Sequence, residues 1–229
     1  MANVILIMGN SGTGKSRSIK TLDPKTTLVI NPLKKRLPFK GADKLYNIAE
    51  KNYFEPAAAM LYQHTQKMLE KVNKDESMAH IKTIVIDDGT YYMRNEVFAT
   101  ANIKGYEKYS TMAANLQKFL QSIMELRQDL NVFLIWHPET SITGDSIIYQ
   151  PSLSGKMIAE KYNPLEVVTI CLFADIKYEQ EGAKYVFYTN RTMIGTTEVP
   201  AKSPEDMFED VEIPNDMQYV IEKINAYYE

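Results

Sequence analysis

The chain has 229 residues and a formal net charge of −3, with hydrophobic residues at 45% and charged residues at 24%. That length buries a sizeable α/β core without disulfide staples, and the mild acidity does not by itself announce a nucleic-acid binder. No apolar run reaches the roughly 18 residues of a membrane span, and the first strand starts too close to Met1 to leave room for a signal peptide. With one cysteine only, the expected setting is the cytoplasm.

Residues 4–8 form an apolar run that reads as a buried strand, and it feeds into Gly9-Asn10-Ser11-Gly12-Thr13-Gly14-Lys15-Ser16. This is a complete G-x-x-x-x-G-K-[ST] loop. Its glycines turn successive backbone N–H groups inward as a nest for phosphate oxygens. In that reading Lys15 reaches the β- and γ-phosphates, Ser16 ligates Mg²⁺, and a helix expected over 15–22, which includes Arg17, adds its positive end. Asp23-Pro24 ends the helix.

Residues 26–30 read as a second strand. Residues 31–43 hold Pro32, Pro38 and Gly41 and read as an irregular loop, in which Lys34, Lys35, Arg36, Lys40 and, just beyond, Lys44 stand against Asp43. Such a basic cluster either faces phosphates or is ordinary solvated surface. A helix follows over 55–73, with Ala58, Leu61, Met68, Leu69 and Val72 on one face.

The third strand, 82–86, ends in Asp87-Asp88. Apolar residues ending in a carboxylate fit a Walker B strand, with Asp87 in the Mg²⁺ shell opposite Ser16. Asp88 either orients or deprotonates an attacking water, or caps the next helix. Helices are expected over 91–102 and 106–129, the second with Leu116, Phe119, Leu120, Ile123 and Leu126 along one stripe.

A fourth strand, 132–136, runs into His137-Pro138-Glu139. In a sheet of this type its tip neighbours the Walker B tip, so His137 is a candidate sensor of the γ-phosphate and Glu139 a lesser candidate to activate water. Beyond Gly144 the pattern turns to β at 146–149, 167–174 and 184–189, and a helix over 217–227 closes the chain. Cys171, inside an apolar run, reads as a small buried hydrophobe. Lys156, in Ser154-Gly155-Lys156, and Arg191, in Thr189-Asn190-Arg191-Thr192, are candidate cations for the transition state, in cis or supplied by a neighbouring subunit; either is otherwise a surface cation. Glu198, Glu205, Asp206, Glu209, Asp210, Glu212 and Asp216 make the end of the chain, about 198–229, an acidic tail.

Strands alternating with helices through residue 136 imply an α/β fold with a mostly parallel sheet covered on both faces, an antiparallel β extension toward the C-terminus, and the phosphate loop at the carboxyl edge. No repeat or low-complexity linker divides the chain, so one domain over 1–229 is expected. Taken together, GNSGTGKS, TIVIDD, VFLIWHPE, SGK and TNRT, with INPLKKRLPFKG and the GYEKY…LR helix, resemble a bacteriophage family of RecA-like P-loop ATPases that includes Sak4-type single-strand annealing proteins. The resemblance spans about 3–195. It implies ATP and Mg²⁺ as ligands, Gly9 to Ser16 on the phosphates, Asp87 on the metal, His137 near the γ-phosphate and Lys156 as an intersubunit finger. It also implies single-stranded DNA and further copies of the chain as partners, in recombination. Asn31 stands where RecA-like enzymes usually carry a glutamate base.

Two other classes share the loop. A small-molecule kinase needs an acceptor pocket and often an Arg-rich lid, and arginine occurs only at 17, 36, 94, 127 and 191. A nucleotide-dependent switch would hydrolyse slowly and dock a protein through the acidic tail.

Overall fold

The computed structural model describes residues 1–155 and 162–229. At its centre lies β1 (Asn3–Met8), paired in parallel with β5 (Asn131–Trp136) on one side and β8 (Ile170–Glu179) on the other. Beyond β5 come β4 (Thr83–Ile86), β2 (Thr27–Ile30) and the two-residue edge strand β3 (Tyr53–Phe54), all parallel. Beyond β8, the strands β9 (Gly182–Tyr188) and β12 (Glu212–Pro214) add antiparallel pairings, giving the order β12-β9-β8-β1-β5-β4-β2-β3. The mostly parallel sheet with antiparallel C-terminal strands is the α/β architecture expected from the sequence.

The strands are apolar throughout because both faces are covered. Side chains alternate between two cores. Leu6 and Met8 of β1 join Ile84, Ile86, Leu134 and Trp136 beneath α2 (Leu61–Lys74), α3 (Thr90–Ala99) and α4 (Glu107–Met124). Ile5, Ile7, Val85, Phe133 and Ile135 point the other way, toward α1 (Ala42–Leu45) and α6 (Met217–Tyr228). Cys171 is fully buried in the first core, and burial pushes its thiol up to about 12, as suits an inert small hydrophobe.

A smaller sheet follows β5. The hairpin β6 (Pro138–Thr143) and β7 (Ser146–Pro151) is extended by β11 (Thr197–Val199) and β10 (Thr192–Ile194), in the order β10-β11-β7-β6. Since β6 begins two residues after Trp136, this sheet rises from the carboxyl edge of the main one. Before β8, the chain forms the one-turn helix α5 (Pro164–Val167).

Beyond short elements the sequence did not announce (α1, β3 and β10 to β12), two differences bear on the site. The short helix expected over 15–22 forms as a 3-10 helix, Ser16–Thr21, closed ahead of Asp23-Pro24. Strand structure also begins at Pro138, ahead of Gly144, since the Glu139 to Thr143 ladder pairs residue by residue with β7.

Gly89, just past the Walker B strand, packs flat on the indole of Trp136: a Cβ there would stand 2.8 Å from Trp136 Cε3. The indole is fully buried and its Nε1 donates to Ser152 O at 2.9 Å, so it cannot yield easily. Gly89→Ala is therefore expected to cost about 1–3 kcal/mol through overpacking. The fluorescence of the single tryptophan during urea unfolding measures it directly.

Candidate functional site

The ends of β1, β4 and β5 converge at the carboxyl edge of the sheet, which is where the P-loop turn leaves β1. The strand standing between β1 and β4 is β5, so the P-loop and the Walker B tip face each other across the end of β5. A cleft of about 240 Å³ opens there, lined by Ser11, Gly12, Gly14, Lys15, Ser16, Arg17, Lys35, Pro38, Asp88, His137 and Tyr185.

Each P-loop residue has a defined place. Lys15 is buried, and its Nζ donates to the carbonyls of Gly9 at 2.5 Å and Asn10 at 2.7 Å. Burial pushes its ammonium down to about 8, against the pull of Asp88 and Asp87. Thr13 Oγ1 donates to Asn10 O at 2.8 Å, and Asn10 Nδ2 donates to Tyr149 Oη of β7 at 3.1 Å, tying the loop to the small sheet. Gly14 has φ +93°, and a Cβ there would lie 2.6 Å from the Tyr185 ring. Only glycine meets both conditions. Arg17 lays its guanidinium 4.3 Å from the centre of the same ring, so a flat cationic–aromatic surface borders the loop.

Across the cleft, Ser16 Oγ donates to Asp87 Oδ1 at 2.7 Å, which brings the two expected metal-side groups together. Asp87 is about 1% exposed, and burial first, then the neighbouring Asp88 charge, push its carboxyl up to about 6. A hydroxyl and a carboxylate are hard oxygen donors of the kind Mg²⁺ takes when most of its shell is water and phosphate. Among the described residues no group of three His, Cys, Asp or Glu forms an all-protein cage. The pair therefore fits a metal that arrives with its nucleotide.

Asp88 has φ +56°, a left-handed backbone that Asp tolerates better than most side chains. The turn aims its carboxylate into the cleft rather than at helix α3, whose first residues receive no side-chain cap. The helix-cap alternative is thereby overturned. Instead Asp88 Oδ1 lies 3.0 Å from His137 Nε2, and Oδ2 pairs with Lys35 Nζ. Burial opposes the Asp88 charge, but the hydrogen bonds from His137 and Lys35 outweigh it and hold the carboxyl below its ordinary value. His137 is fixed in turn by its backbone N–H, which donates to Thr90 Oγ1 at 2.8 Å.

Two further candidates fall elsewhere, and a third lies outside the described residues. Glu139 stands in the β6–β7 ladder, where its Oε1 accepts from its register partner Gln150 at 3.2 Å; it does not line the cleft, because β6 carries it away from the tip of β5. Arg191 is 72% exposed on the small sheet, with Nε 2.6 Å from Glu198 Oε1, outside the chain's own cleft. Lys156 lies outside the described residues.

Lys35, Pro38 and Tyr185 are cleft residues to which motif reading gave no role. For Lys35 the signal was the basic cluster after strand two, within INPLKKRLPFKG, which assigned no one of its lysines to the site. Asn31, in the usual place of a glutamate base, is wholly buried and structural: its Nδ2 donates to Lys35 O at 2.6 Å and to Tyr53 Oη.

A phosphate-binding loop, an oxygen pair for a divalent cation and a charged dyad at adjoining strand tips define a P-loop nucleotide site. A model of the AAA domain family matches residues 1–204, and the chain belongs to that family. No curated protein sequence matches it. Among solved structures it is similar to a KaiC-like protein from the archaeon Pyrococcus horikoshii, at 14% identity over 81% of this chain and 77% of that one, with a TM-score of 0.45. It is also similar to the flagellar accessory protein FlaH from Methanocaldococcus jannaschii, at 12% identity over 81% and 76%, with a TM-score of 0.42.

The raised Asp87 has a pH signature. Its folded value near 6 lies above the ordinary carboxylate value, so between about pH 4 and 6 the folded state holds more protons than the unfolded one. The Asp87 contribution to stability therefore worsens as pH rises through this window. Asp87→Asn, which keeps an acceptor for Ser16, is expected to raise the thermal midpoint at pH 7.5. That gain should shrink as pH falls from 6 toward 4, as followed by thermal melts.

Proposed function

We propose that the chain is a Mg²⁺-dependent ATPase that cleaves ATP at the β–γ bond. The observation that carries this reading is one cleft lined by Lys15, Ser16 and the Asp88–His137 dyad, with buried Asp87 bonded to Ser16 behind its wall. In phosphoryl transfer the protein supplies position and charge rather than covalent chemistry. The loop N–H groups and Lys15 hold the phosphates, while Ser16 and Asp87 orient the metal side. A Mg²⁺ held there by Ser16 and Asp87 would supply charge neutralisation at the phosphate oxygens. Asp88 accepts a hydrogen bond from the attacking water, and His137 orients Asp88 and faces the terminal phosphate. The Tyr185 face beside Gly12 and Gly14 offers the base a surface on which to stack, where Arg17 now lies.

For its biological work, the proposal follows the sequence resemblance: single-stranded DNA as the polymer, annealing or recombination as the process, in a phage-encoded protein assembled from several copies. What supports it is the segment from Phe98 to Tyr109, where Phe98 (79% exposed) and Tyr106 (88%) stand beside Lys104 and Lys108. Exposed aromatic rings among lysines suit stacking on unpaired bases with charge toward the backbone. In such an assembly Arg191 or Lys156 would complete a neighbour's cleft.

A second reading, a slow nucleotide-dependent switch, is favoured by one observation: both oxygens of Asp88 are already engaged. ATP hydrolysis across a range of protein concentration, with and without single-stranded DNA, separates the two. The ATPase reading expects turnover that rises with DNA and steeply with protein, and a loss of at least about 100-fold in Lys15→Ala. Wild-type turnover in that variant would refute the reading, and turnover indifferent to DNA and protein concentration would favour the switch.

A further inference from the structure

The P-loop accounts for one lysine in the cleft, and the fold delivers a second from a different strand. Lys35 lies five residues beyond the end of β2, on a turn anchored at its root. Asn31 Nδ2 donates to Lys35 O at 2.6 Å, Lys34 N donates to Asn31 O at 3.3 Å, and Lys34 sits at φ 55°. These contacts fix the backbone of Lys35 and leave its long side chain as the movable part. That side chain is 48% exposed, lines the cleft with Lys15 and Ser16, and ends on Asp88. Burial works against the Lys35 charge, but the hydrogen bond and charge of Asp88 outweigh it, so its ammonium is held above the ordinary lysine value.

In the cleft Lys15 and Lys35 stand against Asp87 and Asp88, and Arg17 adds a third cation to the lining. Lys15 rests on backbone carbonyls and Lys35 on a carboxylate, so each ammonium has a provisional partner. A triphosphate lying along the loop past Lys15 adds its terminal group on the Asp88 side, beside an ammonium that is half in water. The ammonium end of the pair is half in water while Asp88 is buried and keeps His137 when Lys35 leaves, and a phosphate is a strong competing partner for a compact ammonium.

We propose that Lys35 is a γ-phosphate sensor that clamps Asp88 until a triphosphate arrives. On binding, its ammonium leaves Asp88 Oδ2 for a terminal phosphate oxygen. Asp88 keeps its contact with His137 and gains a free oxygen for the attacking water. One ion pair replaces another, with no covalent change. A diphosphate ends short of Lys35 and leaves the clamp closed. Lys35 also lines a second cavity of about 260 Å³ with Lys34, Arg36, Leu37 and Tyr46, so its movement alters the wall between the nucleotide and the basic loop. The proposal rests on reading the cleft as an ATP site.

The test compares Lys35→Gln, Lys35→Arg and wild type by calorimetry with Mg²⁺ and either a non-hydrolysable ATP analogue or ADP. A γ-phosphate sensor requires that Lys35→Gln weaken the triphosphate about tenfold or more, leave ADP within about twofold, and that Lys35→Arg recover part of the loss. ADP binding also shows that the variant is folded. Equal weakening of both nucleotides, or no change in either, would overturn the sensor while leaving the ATPase reading standing. Failure of the wild-type protein to bind either nucleotide would overturn both.

Discussion

The site depends on burying two adjacent carboxylates, Asp87 and Asp88, at one strand tip. Two like charges in a shared, poorly solvated place repel each other, and the structure resolves the conflict by giving them different partners. Asp87 points to Ser16 and stays short of cations, so its carboxyl is pushed up to about 6. Asp88 is turned by a left-handed backbone toward His137 and Lys35 and is held ionised. In the proposed ATPase reading the two environments would set a metal-side acid apart from a water-side one, since different surroundings let neighbouring carboxylates do different work.

The rest of the fold serves that separation. The inserted strand β5 sets the P-loop and Walker B tips one strand apart and places His137 between them. Gly89 lets the chain turn down over Trp136, and the small sheet growing from β5 braces the loop through Tyr149 and Asn10. The basic loop enters from β2, anchored by Asn31. Stability and function pull against each other here. Burial and the neighbouring Asp88 charge disfavour an ionised Asp87, a cost that a bound cation would relieve.

Much of this was legible in the sequence because the relevant signals are local. Apolar strands ending in GNSGTGKS, DD and HPE specify a parallel sheet and mark its active edge, and Ser16, Asp87 and His137 fall where the motifs put them. What escaped depends on distant contacts. No motif assigned Lys35 to the site, and only the register of β2 beside β4 brings its loop over Asp88. Glu139 looked like a neighbour of His137 in sequence, yet the pairing of Glu139 with Gln150 draws it into a ladder that periodicity did not reveal. The helix after the loop and its stop at Asp23-Pro24 were read from the sequence, but periodicity over six residues does not tell a 3-10 turn from an α-helical one. Tyr185 is separated from Gly14 by most of the chain, so its approach to the loop had no local signature.

The central claim is that three segments remote in sequence form one nucleotide site. Hydrogen–deuterium exchange with and without a non-hydrolysable ATP analogue and Mg²⁺ tests it most directly. The account requires protection to appear together in the loop around 9–17, at 87–90 after β4 and at 136–138 after β5, and to need the metal at the second of these. Protection confined to the loop, with the two carboxylate and histidine tips unchanged, would contradict it.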